Sequence, residues 1–334
     1  MNYIGSKYSL LPFIGSVIED LIGVDLSNVV LCDIFAGTGA VGRYFKSKVQ
    51  KVISNDWEYY SYVLNRNYIG NHTEISDTER YIEELNSLPS VSDGFIYDNY
   101  CSGSGSGRQY FSDENGKKID AMRNQIEIWK MEGAISEDLY YFLLASLLES
   151  ADKVANTAAV YGAFLKHIKA TASKQIVLEP SLYTLNPNTH EVYREDANEL
   201  ISNIEGDVLY LDPPYNSRQY GANYHLLNTI AEYKPFIPKG KTGMREYMRS
   251  SYCSKRTVIA SFEALVREAR FKYIVLSYNN EGLMPFDVIR TLMSKYGIYD
   301  VVSQEHQRFR ADRQENRSFL SDKTTEYLHI IEKH

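Results

Sequence analysis

Val29-Val30-Leu31-Cys32-Asp33-Ile34-Phe35-Ala36-Gly37-Thr38-Gly39-Ala40-Val41-Gly42 is the stretch whose pattern sets the fold. An apolar run ends in an acid, glycines follow, and helix-compatible residues continue to about Lys48. This reads as strand, turn and helix. Lys51 to Asn55 repeats the strand signal, Asp56 falls just past it, and Trp57 to Tyr68 is again helical in character. Two β-α units in succession predict the start of a parallel sheet in an α/β fold.

Within the turn, Gly37-Thr38-Gly39-Ala40-Val41-Gly42 matches the G-x-G-x-x-G template, and Asp56 follows its start by about twenty residues. Small residues let a nucleotide-like cofactor approach the backbone, and an acid ending the second strand accepts hydrogen bonds from ribose hydroxyls. NAD, FAD and S-adenosylmethionine all satisfy this pattern, and a turn serving only strand-helix packing is the plainer alternative. Asp33 narrows the choice. A carboxylate at the strand tip repels a pyrophosphate but binds the ammonium of a methionine moiety. Near the start, Tyr3-Ile4-Gly5-Ser6-Lys7 brings a lysine close to a glycine turn, suited to the carboxylate of the same moiety. On its own, Lys7 reads equally as a solvated surface lysine.

Sheet-like signals return at Asp207 to Asp212, Lys272 to Ser277 and Glu326 to Ile331, with helical stretches at about Val258 to Arg270 and Pro285 to Tyr296. Between the two α/β portions, a polar, turn-rich stretch carries Ser102-Gly103-Ser104-Gly105-Ser106-Gly107, and a helical region is expected from about Ser136 to Ala172. The Gly/Ser run reads as a flexible loop. The division expected is one α/β domain, residues 1–70 and 189–334, interrupted by an inserted region, residues 71–188.

Asp212-Pro213-Pro214-Tyr215 ends the strongest apolar strand of the second half, where open α/β sheets place their binding crevice. The prolines stop the strand and fix the backbone, so the Asp212 carboxylate and the Pro213 carbonyl can aim at one small target. Tyr215 adds a flat face for stacking. Two acceptors and a ring suit the amino group of a planar amide or base. Such a nitrogen is a poor nucleophile because its lone pair is delocalised, and hydrogen bonds to the two acceptors localise that pair for in-line attack on a sulfonium methyl. Methylation at cytosine C5 would need a thiolate, usually in a Pro-Cys pair, and none of Cys32, Cys101 and Cys253 follows a proline.

Bulk properties narrow the class. With 334 residues, 44% of them hydrophobic, the chain can bury a large core, and no run approaches the roughly 20 apolar residues of a membrane helix. Met1-Asn2-Tyr3 lacks the basic and apolar regions of a secretion signal, so a cytoplasmic location is expected. Neither the dispersed cysteines nor the histidines have metal-ligand spacing, and no metal is expected. A formal charge of −7 argues against a protein that simply coats nucleic acid. Locally, however, Lys234, Lys239, Lys241, Arg245, Arg249, Lys255 and Arg256 face one acid, Glu246. This stretch follows the catalytic motif and could hold phosphates beside it.

With these residues in view, the chain closely resembles the N6-adenine DNA methyltransferases of the D12 class, alpha group. Within them it is most similar to the branch accompanying the NlaIII and FokI restriction systems. The likeness rests on Asn2-Tyr3-Ile4-Gly5-Ser6-Lys7, Asp33-Ile34-Phe35-Ala36-Gly37-Thr38-Gly39, Asn55-Asp56, Asp196-Ala197 and Asp212-Pro213-Pro214-Tyr215-Asn216-Ser217-Arg218-Gln219-Tyr220. It implies a Rossmann-like, S-adenosylmethionine-dependent fold: a mostly parallel seven-stranded sheet, one strand antiparallel near the C-terminus, and an inserted, largely helical target-recognition region. It also implies that Tyr3 and Lys7 contact the methionine end of the cofactor, Asp56 the ribose and Asp196 the adenine amino group, backed by the Ala197 main chain. Asp33, Phe35, Gly37, Gly39 and Asp212 complete that cofactor set.

The substrate implied is an adenine flipped from double-stranded DNA, since a stacked adenine cannot offer its amino group to an in-line methyl donor. The branch suggests a short site containing ATG, with CATG as the candidate, and a separately encoded restriction endonuclease as partner. Arg218, Lys241, Arg245, Arg249, Lys255 and Arg256 are the expected DNA contacts, together with Arg310 from the arginine-rich stretch around Phe309. In the insertion, Arg108, Gln109, Arg123 and Asn124 have side chains able to read base edges. Three alternatives stay open: an amino-group methyltransferase acting on RNA or protein glutamine, an NAD-dependent dehydrogenase, and a catalytically idle DNA-binding module.

Overall fold

The computed structural model describes residues 7–158, 160–307 and 323–334, apart from the side chains of 306, 307, 323 and 324. The backbone forms two compact units. One comprises residues 5–57, 186–219 and 249–334, and the other residues 1–4, 58–185 and 220–248. These boundaries differ from the sequence-based division. Residues 58–70 and 220–248 belong with the inserted unit, because the helix Tyr59–Asn65 is tied to the helix His225–Glu232 through Asn228, which accepts from the Tyr60 N–H at 3.0 Å. The basic stretch is therefore divided between the units at residue 248.

The first unit is built on seven strands: β1 Val30–Asp33, β2 Lys51–Asn55, β3 Glu191–Tyr193, β4 Glu205–Leu211, β5 Arg270–Asn279, β6 Gly297–Gln307 and β7 Lys323–Lys333. They lie in the order β3-β2-β1-β4-β5-β7-β6. β7 runs antiparallel to both its neighbours, and the pairings among β3, β2, β1, β4 and β5 are parallel. The α/β, Rossmann-like class with a mostly parallel seven-stranded sheet is thus the observed one. The chain travels outward from β1 through β2 to β3, then returns to β4 on the other side of β1. This reversal opens a crevice at the C-terminal ends of β1 and β4.

Strand alternation sorts the side chains into two sets. Cys32, Leu209, Leu211, Ile274, Leu276 and Ile331 belong to one buried cluster with Leu200 of the helix Ala197–Leu200, Phe262 and Leu265 of Val258–Glu268, and Ile289 and Leu292 of Phe286–Met293. The opposite parity carries Leu31, Val208 and Val275 in its apolar part. Towards the C-terminal ends of β1, β4 and β5 the same parity carries Asp33, Tyr210 and Ser277, with Glu326 entering from the antiparallel β7. All four are buried.

In the second unit, Ser112 and Ser136 cap two long helices, Asp113–Met131 and Glu137–Lys153, by accepting the N–H of Asn115 and Leu139. Apolar residues of Glu137–Lys153 are buried around almost its whole circumference, so it forms the centre of that unit. The helix stops at Lys153 rather than running to Ala172. Asn156 takes the chain elsewhere: its amide donates to the Gln109 and Leu165 carbonyls, and its Oδ1 accepts the Lys169 N–H. A side chain satisfying loop backbone in this way replaces the next helical turn.

Candidate active site

The glycine loop starts where β1 ends. Gly37 and Gly39 have φ of 53° and 76°, the left-handed region that glycine enters without a Cβ penalty. The Gly39 N–H donates to the Ala36 carbonyl at 2.8 Å, and the helix Ala40–Phe45 begins at once. The Asp56 carboxylate accepts the Gly37 N–H at 2.8 Å, so the acid after β2 holds the loop in shape. Asn55 fastens three segments. Its amide donates to the Ile34 and Glu195 carbonyls at 3.0 and 3.1 Å, and its Oδ1 accepts the Glu195 N–H at 3.0 Å. The residues following β1, β2 and β3 are thereby set side by side.

Asp196 comes next along that edge and caps the helix Ala197–Leu200, accepting the Asn198 N–H at 2.8 Å. Read as a solvated charge run, Arg194-Glu195-Asp196 hides this role. The recoverable signal is an Asp immediately before a short helical segment. Ala197 is buried at the helix start. Phe35 lies edge-on to Tyr252, with ring centroids 4.9 Å apart, and the Tyr252 hydroxyl donates to Asn198 Oδ1. An apolar wall therefore stands beside the Asp196 turn, a setting suited to a purine.

Asp33 is 1% exposed, and its Oδ1 has no hydrogen-bond partner among the described residues. Burial drives its carboxyl well above the ordinary value, the Asp212 and Asp56 charges push in the same direction, and backbone N–H groups of Gly42 and Phe35 offset part of this. A buried carboxylate oxygen without a donor is costly unless a cation arrives. The ammonium of a methionine moiety is such a cation. The residues present therefore fit S-adenosylmethionine: a cation acceptor at β1, a glycine loop, an acid after β2, and an acid beside an apolar wall after β3.

Asp212, one residue beyond β4, is the centre of a charged group. Lys7 Nζ lies 3.1 Å from Asp212 Oδ1 and 2.7 Å from Glu326 Oε1, and the Ser277 hydroxyl donates to Glu326 Oε1 at 2.5 Å. The Lys7 and Glu326 side chains are 8% and 3% exposed, while that of Asp212 is 19% exposed. Burial raises the Asp212 carboxyl to about 6, Lys7 holds it down, and Glu326 pushes it up. Burial lowers the Lys7 ammonium, but the two carboxylates outweigh that and leave it raised. The lysine expected to meet a methionine carboxylate bridges two protein carboxylates. Glu326 escaped the sequence reading because an acid at the start of a terminal strand carries no local signal.

Pro213 is buried, and the Tyr215 carbonyl accepts the Leu283 N–H at 3.0 Å, so the motif is held on both sides of Pro214. Downstream, the Gln219 amide oxygen accepts the Ser250 N–H at 2.9 Å, and the Cys253 thiol reaches the Arg218 carbonyl at 3.4 Å. These contacts join the loop after β4 to the Ser251–Cys253 turn. Arg218, Arg249, Lys255 and Arg256 are exposed around it.

Other expected DNA contacts fare differently. Arg245 is half-buried and paired with Glu232, so its charge is already matched within its own unit, whereas Lys241 is exposed. Arg123 is 3% exposed and donates to the Ile230 and Ala231 carbonyls at 3.0 Å each, capping a helix rather than facing a base. Arg108 and Gln109 donate to backbone carbonyls, and Asn124 is exposed. Tyr3 and Arg310 lie outside the described residues. Among the described residues, no three metal-ligating side chains cluster and no helix is long and apolar enough to cross a membrane.

A Rossmann-like sheet, a glycine loop beside the buried Asp33, and an Asp-Pro-Pro-Tyr segment at the end of the neighbouring strand are the arrangement expected of an amino-group methyltransferase. The chain belongs to the D12 class N6 adenine-specific DNA methyltransferases, whose family model matches residues 3–292. It is 60% identical over 333 residues to the Type II methyltransferase M.NlaIII of Neisseria lactamica, covering 100% of this chain and 99% of that one. It is 40% identical over 335 residues to the Type II methyltransferase M.CviAII of Paramecium bursaria Chlorella virus 1, covering 99% and 98%. With the Type II methyltransferase M.FokI of Planomicrobium okeanokoites the identity is 37% over 348 residues, covering 100% of this chain and 53% of the relative. The chain is therefore an enzyme that methylates adenine in DNA, of the restriction-modification type.

Proposed function

We propose that the enzyme transfers methyl from S-adenosylmethionine to N6 of an adenine flipped out of a short duplex motif, with CATG the candidate site that the branch resemblance in the sequence suggests. The observation that carries this reading is the pairing of two acids at adjacent strand ends. Asp33 lies in register with Tyr210, and Asp212 follows two residues later. On this reading one acid meets the cationic end of the donor and the other the amino group that receives the methyl. When bound, the cofactor supplies an electrophilic methyl group whose bond electrons remain with sulfur.

The protein's own side chains do the rest. Asp212 and the Pro213 carbonyl accept hydrogen bonds from the two N6–H groups and localise the nitrogen lone pair, while Tyr215 stacks on the base. Asp33 holds the methionine ammonium, Asp56 the ribose, and Asp196, backed by Ala197, the cofactor adenine, with Phe35 along its face. Tyr3 completes the methionine end, whereas Lys7, held by Asp212 and Glu326, steadies Asp212 instead of meeting the methionine carboxylate. Arg218, Lys241, Arg249, Lys255 and Arg256, with Arg310 and the part of Arg245 that Glu232 leaves exposed, contact phosphates. Residues 71–188 supply target recognition, and a separately encoded restriction endonuclease is the partner, in the cytoplasm. Incubating the enzyme with methyl-labelled S-adenosylmethionine and duplex DNA, transfer RNA or glutamine peptides in parallel tests this. Label entering only DNA is the expected result, and label entering RNA or peptide in its place contradicts it.

A further inference from the structure

The Asp-Pro-Pro-Tyr motif and the glycine loop account for an acceptor and a donor site, but not for the second carboxylate on Lys7. Glu326 stands opposite Asn279 in the β5-β7 register, 2% exposed, and it takes the shorter of the two Lys7 contacts. A buried carboxylate beside another at the end of a sheet is expensive, and a neutral glutamine would fill the same space more cheaply. The charge has a use at that point. A lysine committed to Asp212 alone would neutralise it and leave a weak acceptor, whereas a lysine shared with Glu326 anchors one Asp212 oxygen without quenching the group.

During transfer the N6 lone pair forms the new N–C bond, the C–S pair stays on sulfur, and N6 is left cationic. One of its two protons must leave to give neutral methyladenine. Asp212, hydrogen-bonded to that nitrogen, is the group within reach.

We propose that Glu326 is a positioning residue for methyl transfer, holding the Lys7 ammonium so that Asp212 stays aimed at N6 and basic enough to take its proton. From Asp212 the proton passes to solvent when the flipped base leaves. This rests on the role of Asp212 given above. The titratable groups facing Asp212 are Lys7, Glu326, Asp33, Tyr210 and Tyr215, and Glu326 also faces His329. Of these, Lys7 is the cation and Glu326 is the acid bound directly to it.

The test is Glu326→Gln, followed through the pH dependence of single-turnover methylation and through isotope-edited carboxyl titration of Asp212 in the free protein. Removing the Glu326 charge leaves Lys7 to Asp212. The acid limb of the rate and the Asp212 titration are therefore expected to move together to lower pH, by about one unit or more, with the plateau rate reduced roughly tenfold. Affinities for DNA and cofactor stay within about twofold, since the change is asked only of the transition state. A purely structural Glu326 would lower the rate equally at every pH, and an unmoved limb overturns the proposal. If Glu326→Gln does not fold, Ser277→Ala removes a donor from Glu326, strengthens its hold on Lys7 and moves the limb upward; a stationary limb there overturns it too. Asp212→Asn separates the two failures: if that variant keeps full activity, the reading of Asp212 is wrong, and if it loses activity while the Glu326 variants leave the limb unmoved, only the present proposal falls.

Discussion

Replacing Asp212 by Asn should make the protein more stable as it makes it less active. The Asp212 carboxyl rises from 3.8 to about 6 on folding, with burial the largest cause. A carboxyl whose folded value is raised contributes stability that is fully present below the unfolded value and lost as pH rises through the folded one. Between pH 4 and pH 7 the native chain therefore loses up to about 3 kcal/mol at this position, which partial exposure reduces towards 1–2 kcal/mol. Asparagine keeps the shape and an acceptor oxygen without the charge, and Lys7 keeps Glu326 at 2.7 Å. Thermal unfolding followed by circular dichroism at pH 5 and pH 8 checks this. The variant should melt a few degrees higher at pH 8, with the difference shrinking at pH 5. Methylation should fall about 100-fold, as when one preorganised transition-state contact is weakened. A variant less stable at pH 8, or an advantage that does not depend on pH, refutes the reasoning.

Asp33→Asn should weaken S-adenosylmethionine binding by about 10- to 100-fold in calorimetry, the worth of one charge-assisted buried contact. Because burial and neighbouring charges raise the Asp33 carboxyl in the free protein, binding a cation beside it should favour the ionised form and release protons across its titration range, so that the measured enthalpy varies there with the ionisation enthalpy of the buffer. Lys255→Ala should reduce the salt dependence of DNA binding by about one unit of slope, with no change in the motif methylated. Arg123→Met should cost about 2–4 kcal/mol in stability, because it uncaps the Ile230 and Ala231 carbonyls, while the methylated motif stays the same. A shifted motif in that variant would restore Arg123 as a base reader.

What could be read from the sequence followed periodicity and punctuation. β1, β2 and β4 are apolar runs ended by an acid, and the glycines and prolines after them mark where the chain must turn, so the crevice was visible before any contact was known. The helix Asp113–Met131 was not. Its buried face includes Asn115, Lys118, Asp120 and Arg123, polar groups satisfied by backbone and by the Tyr233 hydroxyl, and this erases the apolar stripe that a helix usually shows. β6 carries a weak strand signal because it is an edge strand with exposed Ile298, Ser303 and Gln304. The site divides in the same way. Asp33 and Asp212 declare themselves by standing at strand ends, whereas Glu326 and Ser277 matter only because β7 and β5 bring them to Lys7 from positions 319 and 270 residues away in sequence.

The most direct test of the whole account is the product itself. DNA free of methylation is treated with the enzyme and S-adenosylmethionine, hydrolysed to nucleosides, and sequenced so that modified positions are mapped. N6-methyladenine confined to one short motif is the predicted result. Methyl groups on cytosine, or none on DNA from an enzyme that binds the cofactor, would contradict it.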